Sequence, residues 1–304
     1  MRLVFCGTAA FAVPSLHALA SSHDVLAVVS QPDRPGSRGR PAPRPVADAA
    51  ARLGIPVLRP QRVRAPESVA EIMALRPDAL VVAAYGQIIP APLLDGPRHG
   101  GINVHASLLP RWRGAAPVAA AILAGDAVSG VSIMRMDPGL DTGPVYARAE
   151  VALGPEDTTP LLTERLAAVG AGLLLEVVGA IGAGTAAARP QDGTRATVAP
   201  RLRREDGAID WALTGAADVD RRVRALQPWP GTTATLAGTE VRMLAGMPTS
   251  PRSVTTGSPG EVVGGEGEAI DVATCDGVYR VGRVQPPGGR PMSAAAFLRG
   301  RRRG

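Results

Sequence analysis

Three side chains in this sequence have the types and spacing to manage a proton and a developing negative charge. Asn103 and His105 stand two residues apart in INVHASLLPRWRGAAP, and Asp141 follows in MDPGLDTG, 36 residues beyond the histidine. An amide and an imidazole can donate hydrogen bonds to an oxygen that becomes negative. A carboxylate can orient the imidazole and help remove a proton. Acyl transfer to an amine has those needs, because it passes through a tetrahedral oxyanion and leaves a surplus proton on nitrogen. No Ser–His or Cys–His pairing of the hydrolase type stands out, which points to direct transfer rather than a covalent intermediate. Each residue also has a plainer reading: Asn103 as a turn former, His105 as a satisfied structural histidine, Asp141 as an Asx turn or helix cap. The combination carries the chemistry.

Alternation along a strand must put Asn103 and His105 on one side, and the strand containing them, 101–105, ends at the histidine. It belongs to a series of short apolar runs bounded by turn residues: 2–6, 24–30, 79–85 and 101–105. Helical patterns lie between them near 11–21, 45–54, 66–75 and 115–124. Strands alternating with helices of this length predict crossover units and a mostly parallel sheet. Further strands are expected at 130–137 and 144–151, with Asp141 in the Gly- and Pro-rich loop between them, at the next strand mouth. A long apolar helix is expected at 158–182. The aperiodic stretch 184–206 then reads as a linker, and short alternating pieces with Gly-rich turns beyond 231 suggest a small β-barrel. The domains expected are 1–188 for the sheet, 189–206 for a basic linker and 207–304 for the β-module.

Composition narrows the partners. The 304 residues contain no lysine, so all 33 basic residues are arginine, and the formal net charge is +6. The excess is local: residues 189–204 hold five arginines against one acid. Smaller clusters occur at Arg34, Arg38, Arg40 and Arg44, and at Arg59, Arg62 and Arg64. Guanidinium groups suit phosphate, because they present a flat fork of donors to its oxygens. The closing RGRRRG reads as a frayed tail. The turn after the first strand, Cys6-Gly7-Thr8-Ala9-Ala10-Phe11, lacks G-x-G-x-x-G, and no P-loop pattern exists, so NAD and nucleoside triphosphates are not expected. Cys6 and Cys275 give neither a metal pattern nor a disulfide framework, and no metal is expected. Residues 2–20 loosely imitate a signal peptide, but Gly7, Thr8, Pro14 and His17 interrupt the run. A cytoplasmic protein without a membrane-spanning stretch is expected, and a monomer, since no long apolar stripe is left over.

INVHASLLPRWRGAAP followed by GVSIMRMDPGLDTG strongly resembles the folate-dependent formyltransferases. The likeness runs nearly the full length, through FCGTAAFAVPSL, QPDRPGSRGR, VVAAYGQIIP, ALQPWPGT and DGVYRVGRVQPPGGRPM. The resemblance implies a Rossmann-like formyltransferase domain followed by an OB-like β-barrel. It implies 10-formyltetrahydrofolate as donor and, as acceptor, the methionine α-amine of charged initiator tRNA, a step of translation initiation. Asn103 and His105 would then hold and polarise the formyl oxygen, while Asp141 would orient His105 and assist the departing proton. Ser107, Leu108, Leu109 and Pro110 would line the folate, with Tyr85, Gly86 and Gln87 near the pterin. Arg38 would enter the acceptor stem, supported by Arg40, and the second domain would hold tRNA together with the basic linker.

The sequence departs from the family pattern where lysines are usual: Arg40, Arg201 and Arg290 replace them, keeping charge but losing the compact ammonium. Two other readings compete. The same chemistry could serve a small amine, such as a purine precursor or an amino sugar, or the chain could be a nucleic-acid-binding module with a retired catalytic domain. The QPDRP loop, the basic linker and the added β-module favour charged tRNA over a small acceptor, which needs no electrostatic track for phosphates. The presence of Asn103, His105 and Asp141 together disfavours the retired enzyme.

Overall fold

The computed structural model describes residues 1–33, 43–249 and 257–301; Arg38 and Arg40 lie outside them. Prolines begin several helices, where the missing N–H costs nothing. β1 (Arg2–Gly7) leads to α1 (Val13–Ala20), β2 (Asp24–Val29), α2 (Pro45–Arg52), β3 (Val57–Leu58) and α3 (Pro66–Ala74). Then come β4 (Ala79–Ala83), α4 (Ala91–Asp95), β5 (Gly101–His105), β6 (Arg113–Gly114) and α5 (Pro117–Ala124). β7 (Val128–Arg135), β8 (Val145–Ala152) and α6 (Thr159–Gly182) follow. Two compact units result. One comprises Met1–Pro117, Val128–Ala152 and Thr163–Ala199; the other comprises Val118–Ala127, Leu153–Leu162 and Pro200–Gly304.

The first unit is built on a seven-stranded sheet in the order β3-β2-β1-β4-β5-β7-β8. β1 to β5 pair in parallel, as the alternation of strands and helices predicts. β7 departs from that direction. It runs antiparallel to β5, with Ile102 opposite Arg135 and His105 opposite Ser132, and β8 returns antiparallel to β7. The expected strand 79–85 stops at Ala83, because Ala84 and Gly86 take positive φ values of 44° and 83° and turn the chain. Val4, Cys6, Val29, Leu80 and Val82 form one side of the core beneath α3 and α4, together with Ile72 and Leu93.

β5 shows why the sheet positions chemistry. Asn103 and His105 face one side, and Val104 between them faces the other. There α6 approaches closely: a Cβ on Gly170 would stand 3.2 Å from Val104 Cγ1 and from Val131 Cγ1. α6 corrects the expectation that nothing approaches a membrane span. It has 24 residues, and an 18-residue stretch of it reaches a mean hydropathy of 1.7, long and apolar enough to cross a membrane by length and composition. Its inward face belongs to the core, with Leu166, Leu174 and Val178 fully buried.

The expected linker is only partly a linker. After α6 the chain returns to the first unit: Arg189 pairs with Val145 through both backbone groups, at 2.8 and 2.9 Å. β9 (Val198–Ala199) lies parallel to β6. The second unit then adds α7 (Ala216–Ala225), β10 (Thr232–Leu236), β11 (Thr239–Thr249), β12 (Val262–Glu266), β13 (Ala269–Ala273), β14 (Val278–Gln285), β15 (Met292–Ser293) and α8 (Ala294–Arg301). Its sheet is antiparallel, ordered β10-β11-β14-β13-β12 with β15 on β14. Val219 and Val223 of α7 and Phe297 of α8 close its core over Leu236, Val241, Val272 and Val281. The tail expected to fray is therefore helical as far as Arg301, and Arg299 pairs with Glu268 at 3.2 Å.

At Gly170 α6 lies against Val104 and Val131 behind β5, so Gly170→Leu should overpack the core and destabilise the protein by about 1–3 kcal/mol. Guanidinium unfolding of the variant, with a lowered midpoint at unchanged slope, measures this.

Candidate active site

The antiparallel course of β7 changes how Asp141 reaches the other two residues. A parallel strand would have delivered it at the carboxyl end of β5. Instead β7 ends beside the amino end of β5, where Met136 N–H donates to Gly101 O at 2.8 Å. The loop 136–144 then folds back over the face of β5 that carries Asn103 and His105. Asn103 Nδ2 lies 3.5 Å from Asp141 Oδ1, and His105 Nδ1 lies 3.6 Å from Asp141 Oδ2. All three side chains do meet, by a route that the strand alternation does not foretell.

The loop is built for a tight return. Asp137 accepts from Thr142 Oγ1 at 2.8 Å and from Gly139 N–H at 3.1 Å, closing a small ring of residues. Gly143 lies so near β7 that a Cβ there would be 1.9 Å from Arg135 O. Asp141 itself adopts φ +52°, a left-handed conformation uncommon for a residue with a side chain. Its carboxylate is largely enclosed and takes its shortest hydrogen bond, 2.8 Å, from the Gly114 amide of β6. Gly114 has φ +116°, and a Cβ would stand 2.6 Å from Ala199 O, so no side chain fits where β6 meets β9.

His105 is buried, and its ring is held from both sides. Nε2 lies 2.9 Å from the carbonyl oxygen of Trp112. A carbonyl only accepts, so Nε2 carries a hydrogen and Nδ1 is the nitrogen presented to Asp141. Trp112 takes φ +61°, donates its N–H to Thr197 Oγ1 at 2.9 Å, and carries the Arg111 guanidinium 4.3 Å above its ring. An imidazole whose tautomer is fixed, a carboxylate at its other nitrogen and a neighbouring amide together can polarise a carbonyl oxygen and shuttle one proton. Among the described residues no group of three or more His, Cys, Asp or Glu could hold a metal ion. Cys6 lies buried in the core, and burial pushes its thiol up to about 12, which keeps it from acting as a nucleophile near neutrality.

The remaining predicted residues divide into two groups. Tyr85 and Gly86 line a cavity of about 310 Å³ with Thr8, Gln31 and Arg44, at the carboxyl ends of β1 and β4, where the strand order changes direction. Gln31 and Thr8 both donate to Tyr85 O, at 2.8 and 2.9 Å, and fix this turn. The Tyr85 phenol points into the core; burial, and then the neighbouring Cys6, push its pKa up. Gln87 borders a second cavity of about 370 Å³ with Arg62, Arg64 and Ile88, and accepts from Val63 N–H at 2.9 Å.

Ser107, Leu108, Leu109 and Pro110 border neither cavity. Ser107 and Leu109 are buried, and Ser132 ties them down: its Oγ donates to Ser107 O at 2.7 Å and accepts from Leu109 N–H at 3.0 Å. Arg148 Nε donates to Leu109 O at 2.7 Å. This turn shapes the surroundings of His105 through its backbone. The sequence reading missed Trp112, Gly114, Gln191, Thr197 and Ser132, which act through backbone, hydroxyl or amide hydrogen bonds and leave no periodic signal.

Comparison with known proteins agrees with this architecture. The family model described as formyl transferase matches residues 1–178, and the formyl transferase C-terminal domain matches residues 201–302. The chain is 51% identical over 305 residues to a methionyl-tRNA formyltransferase of Gluconacetobacter diazotrophicus, covering 99% of this chain and 96% of that protein. It is 45% identical over 300 residues to a methionyl-tRNA formyltransferase of Methylococcus capsulatus, covering 98% and 96%. Its fold matches a solved N-formyltransferase of Helicobacter canadensis, in complex with folinic acid and dTDP-3-aminofucose, with a TM-score of 0.69 at 17% identity, over 92% of this chain and 98% of that one. The chain belongs to the formyl transferase family, in its N-terminal and its C-terminal domain alike.

Proposed function

We propose that this protein transfers the formyl group of 10-formyltetrahydrofolate to the α-amino group of methionine on initiator tRNA, in the cytoplasm and as a single chain. The observation that carries this reading is the convergence of Asn103, His105 and Asp141 within a chain alike over its whole length to enzymes named for that reaction. The amine nitrogen bonds to the formyl carbon, which becomes tetrahedral with a negative oxygen. Asn103 Nδ2 donates to that oxygen. Nε2–H is committed to Trp112 O, so His105 Nδ1 takes up, by way of Asp141, the proton that the attacking nitrogen releases and donates it toward that oxygen before it passes to N10. Collapse breaks the bond between carbon and N10 of the folate. The attacking nitrogen gives up a proton by way of Asp141, and N10 takes one, so the reaction balances without an added oxidant or base.

Tyr85, Gly86 and Gln87, with the Ser107–Pro110 turn, border the donor in this reading. Arg38, Arg40 and the arginines of 189–204 meet acceptor phosphates. The antiparallel β-unit serves tRNA binding. The full-length likeness and the local surplus of arginine favour charged tRNA over a small amine.

Incubating the protein with 10-formyltetrahydrofolate and methionyl initiator tRNA, and reading the aminoacyl group by mass spectrometry, should show one added formyl unit; an unchanged methionine rejects the proposal. His105→Ala should lower kcat by about 10²–10³ while the KM for tRNA stays close to that of the parent, because it removes an oxyanion donor. Arg38→Ala should weaken use of tRNA and reduce the slope of log affinity against log salt by about one. Filter binding across a salt series reads that slope, and an unchanged one removes Arg38 from the tRNA contact.

A further inference from the structure

Gln191 lies in the segment that composition marks as a basic linker, yet its side chain is spent on the loop that carries Asp141. Nε2 donates to Asp141 O at 2.8 Å and to Gly143 O at 2.7 Å. Oε1 accepts from Arg113 Nε at 3.1 Å and from Arg113 Nη2 at 2.9 Å. A primary amide offers two N–H donors and two lone pairs, so these contacts use its full capacity. Donors placed on two carbonyls two residues apart fix the curvature of the chain between them. There Asp141 sits at φ +52°, a conformation that persists only where its surroundings impose it. The other end of the amide secures Arg113, whose successor Gly114 gives Asp141 Oδ2 its 2.8 Å hydrogen bond. A single side chain thus holds both the backbone that bears the carboxylate and the backbone amide that the carboxylate accepts from.

We propose that Gln191 is a positioning residue for formyl transfer, setting the Asp141 carboxylate against His105 and Asn103 while touching neither substrate. The assignment rests on the transfer reading given above. Two substitutions separate its functions. Gln191→Leu removes all four hydrogen bonds at similar volume. Gln191→Glu retains oxygens for Arg113 but has no N–H for the two carbonyls.

With the parent protein first shown to formylate methionyl-tRNA, both variants should fold and bind, with the KM for donor and for tRNA within about twofold of the parent. Their kcat should fall about 10- to 100-fold, the range expected for misplacing a catalytic group by about an ångström. Single-turnover rates in an Asp141→Asn background complete the test: Gln191→Leu should add almost no further loss there, because the carboxylate it positions is gone. A merely structural role would instead multiply the two losses, and that result overturns the proposal. Parent-like kcat in Gln191→Leu overturns it as well. So does parent-like kcat in Gln191→Glu, which would leave only the Arg113 link. Should the Leu variant fail to fold, the Glu variant carries the same comparison of kcat with KM. Absence of formyl transfer by the parent protein overturns the transfer reading, and this assignment with it.

Discussion

A largely enclosed carboxylate needs donors, and in this protein the hydrogen bond from the Gly114 amide to Asp141 Oδ2, at 2.8 Å, is the firmest that Asp141 receives. Its contacts to Asn103 and His105 are longer, at 3.5 and 3.6 Å. A charge withdrawn from water without good partners costs several kcal/mol, so the position of the Gly114 amide decides where the carboxylate can rest. That amide in turn is set by the pairing of β6 with β9, two residues in each strand. A minimal piece of sheet, formed by segments more than 80 residues apart in the chain, therefore governs the geometry of the centre.

The large sheet contributes differently. β5 presents Asn103 and His105 on one face because Val104 is held on the other by α6, and the neighbouring β7 brings Ser132 opposite His105. Ser132 then clamps the Ser107–Leu109 turn, and that turn leads into Trp112, whose carbonyl fixes the tautomer of His105. A strand, a turn and a backbone carbonyl form one continuous chain of constraints. Each link is a polar group satisfied by another, which is the condition for burying it at all.

Much of this was legible before any coordinates. The strands at 2–6, 24–30 and 101–105, and the helices α1, α2, α3, α5 and α6, follow from apolar runs and 3.6-residue periodicity, because burial is what those patterns encode. The helix α7 was not read, although Val219 and Val223 lie four apart, since charged Asp and Arg residues fill the rest of it. The direction of β7 was also not legible, because a strand's apolar pattern is the same whichever way it runs. Asn103, His105 and Asp141 announced themselves by residue type. Gly114, Gln191 and Thr197 did not: each acts through well-placed backbone, amide or hydroxyl hydrogen bonds, and nothing in local sequence distinguishes such a residue from a loop residue.

The helix α6 has a consequence for how the chain comes into being. An 18-residue stretch of it has a mean hydropathy of 1.7, apolar enough by length and composition to cross a lipid bilayer. All eight strands β1 to β8 precede it in the chain. During synthesis from the amino terminus, the surface it covers has thus already left the ribosome when the helix emerges, and it can dock at once instead of waiting exposed. The order of elements along the polypeptide thus gives this segment its partners on β5 and β7, Val104 and Val131, before the helix itself is made.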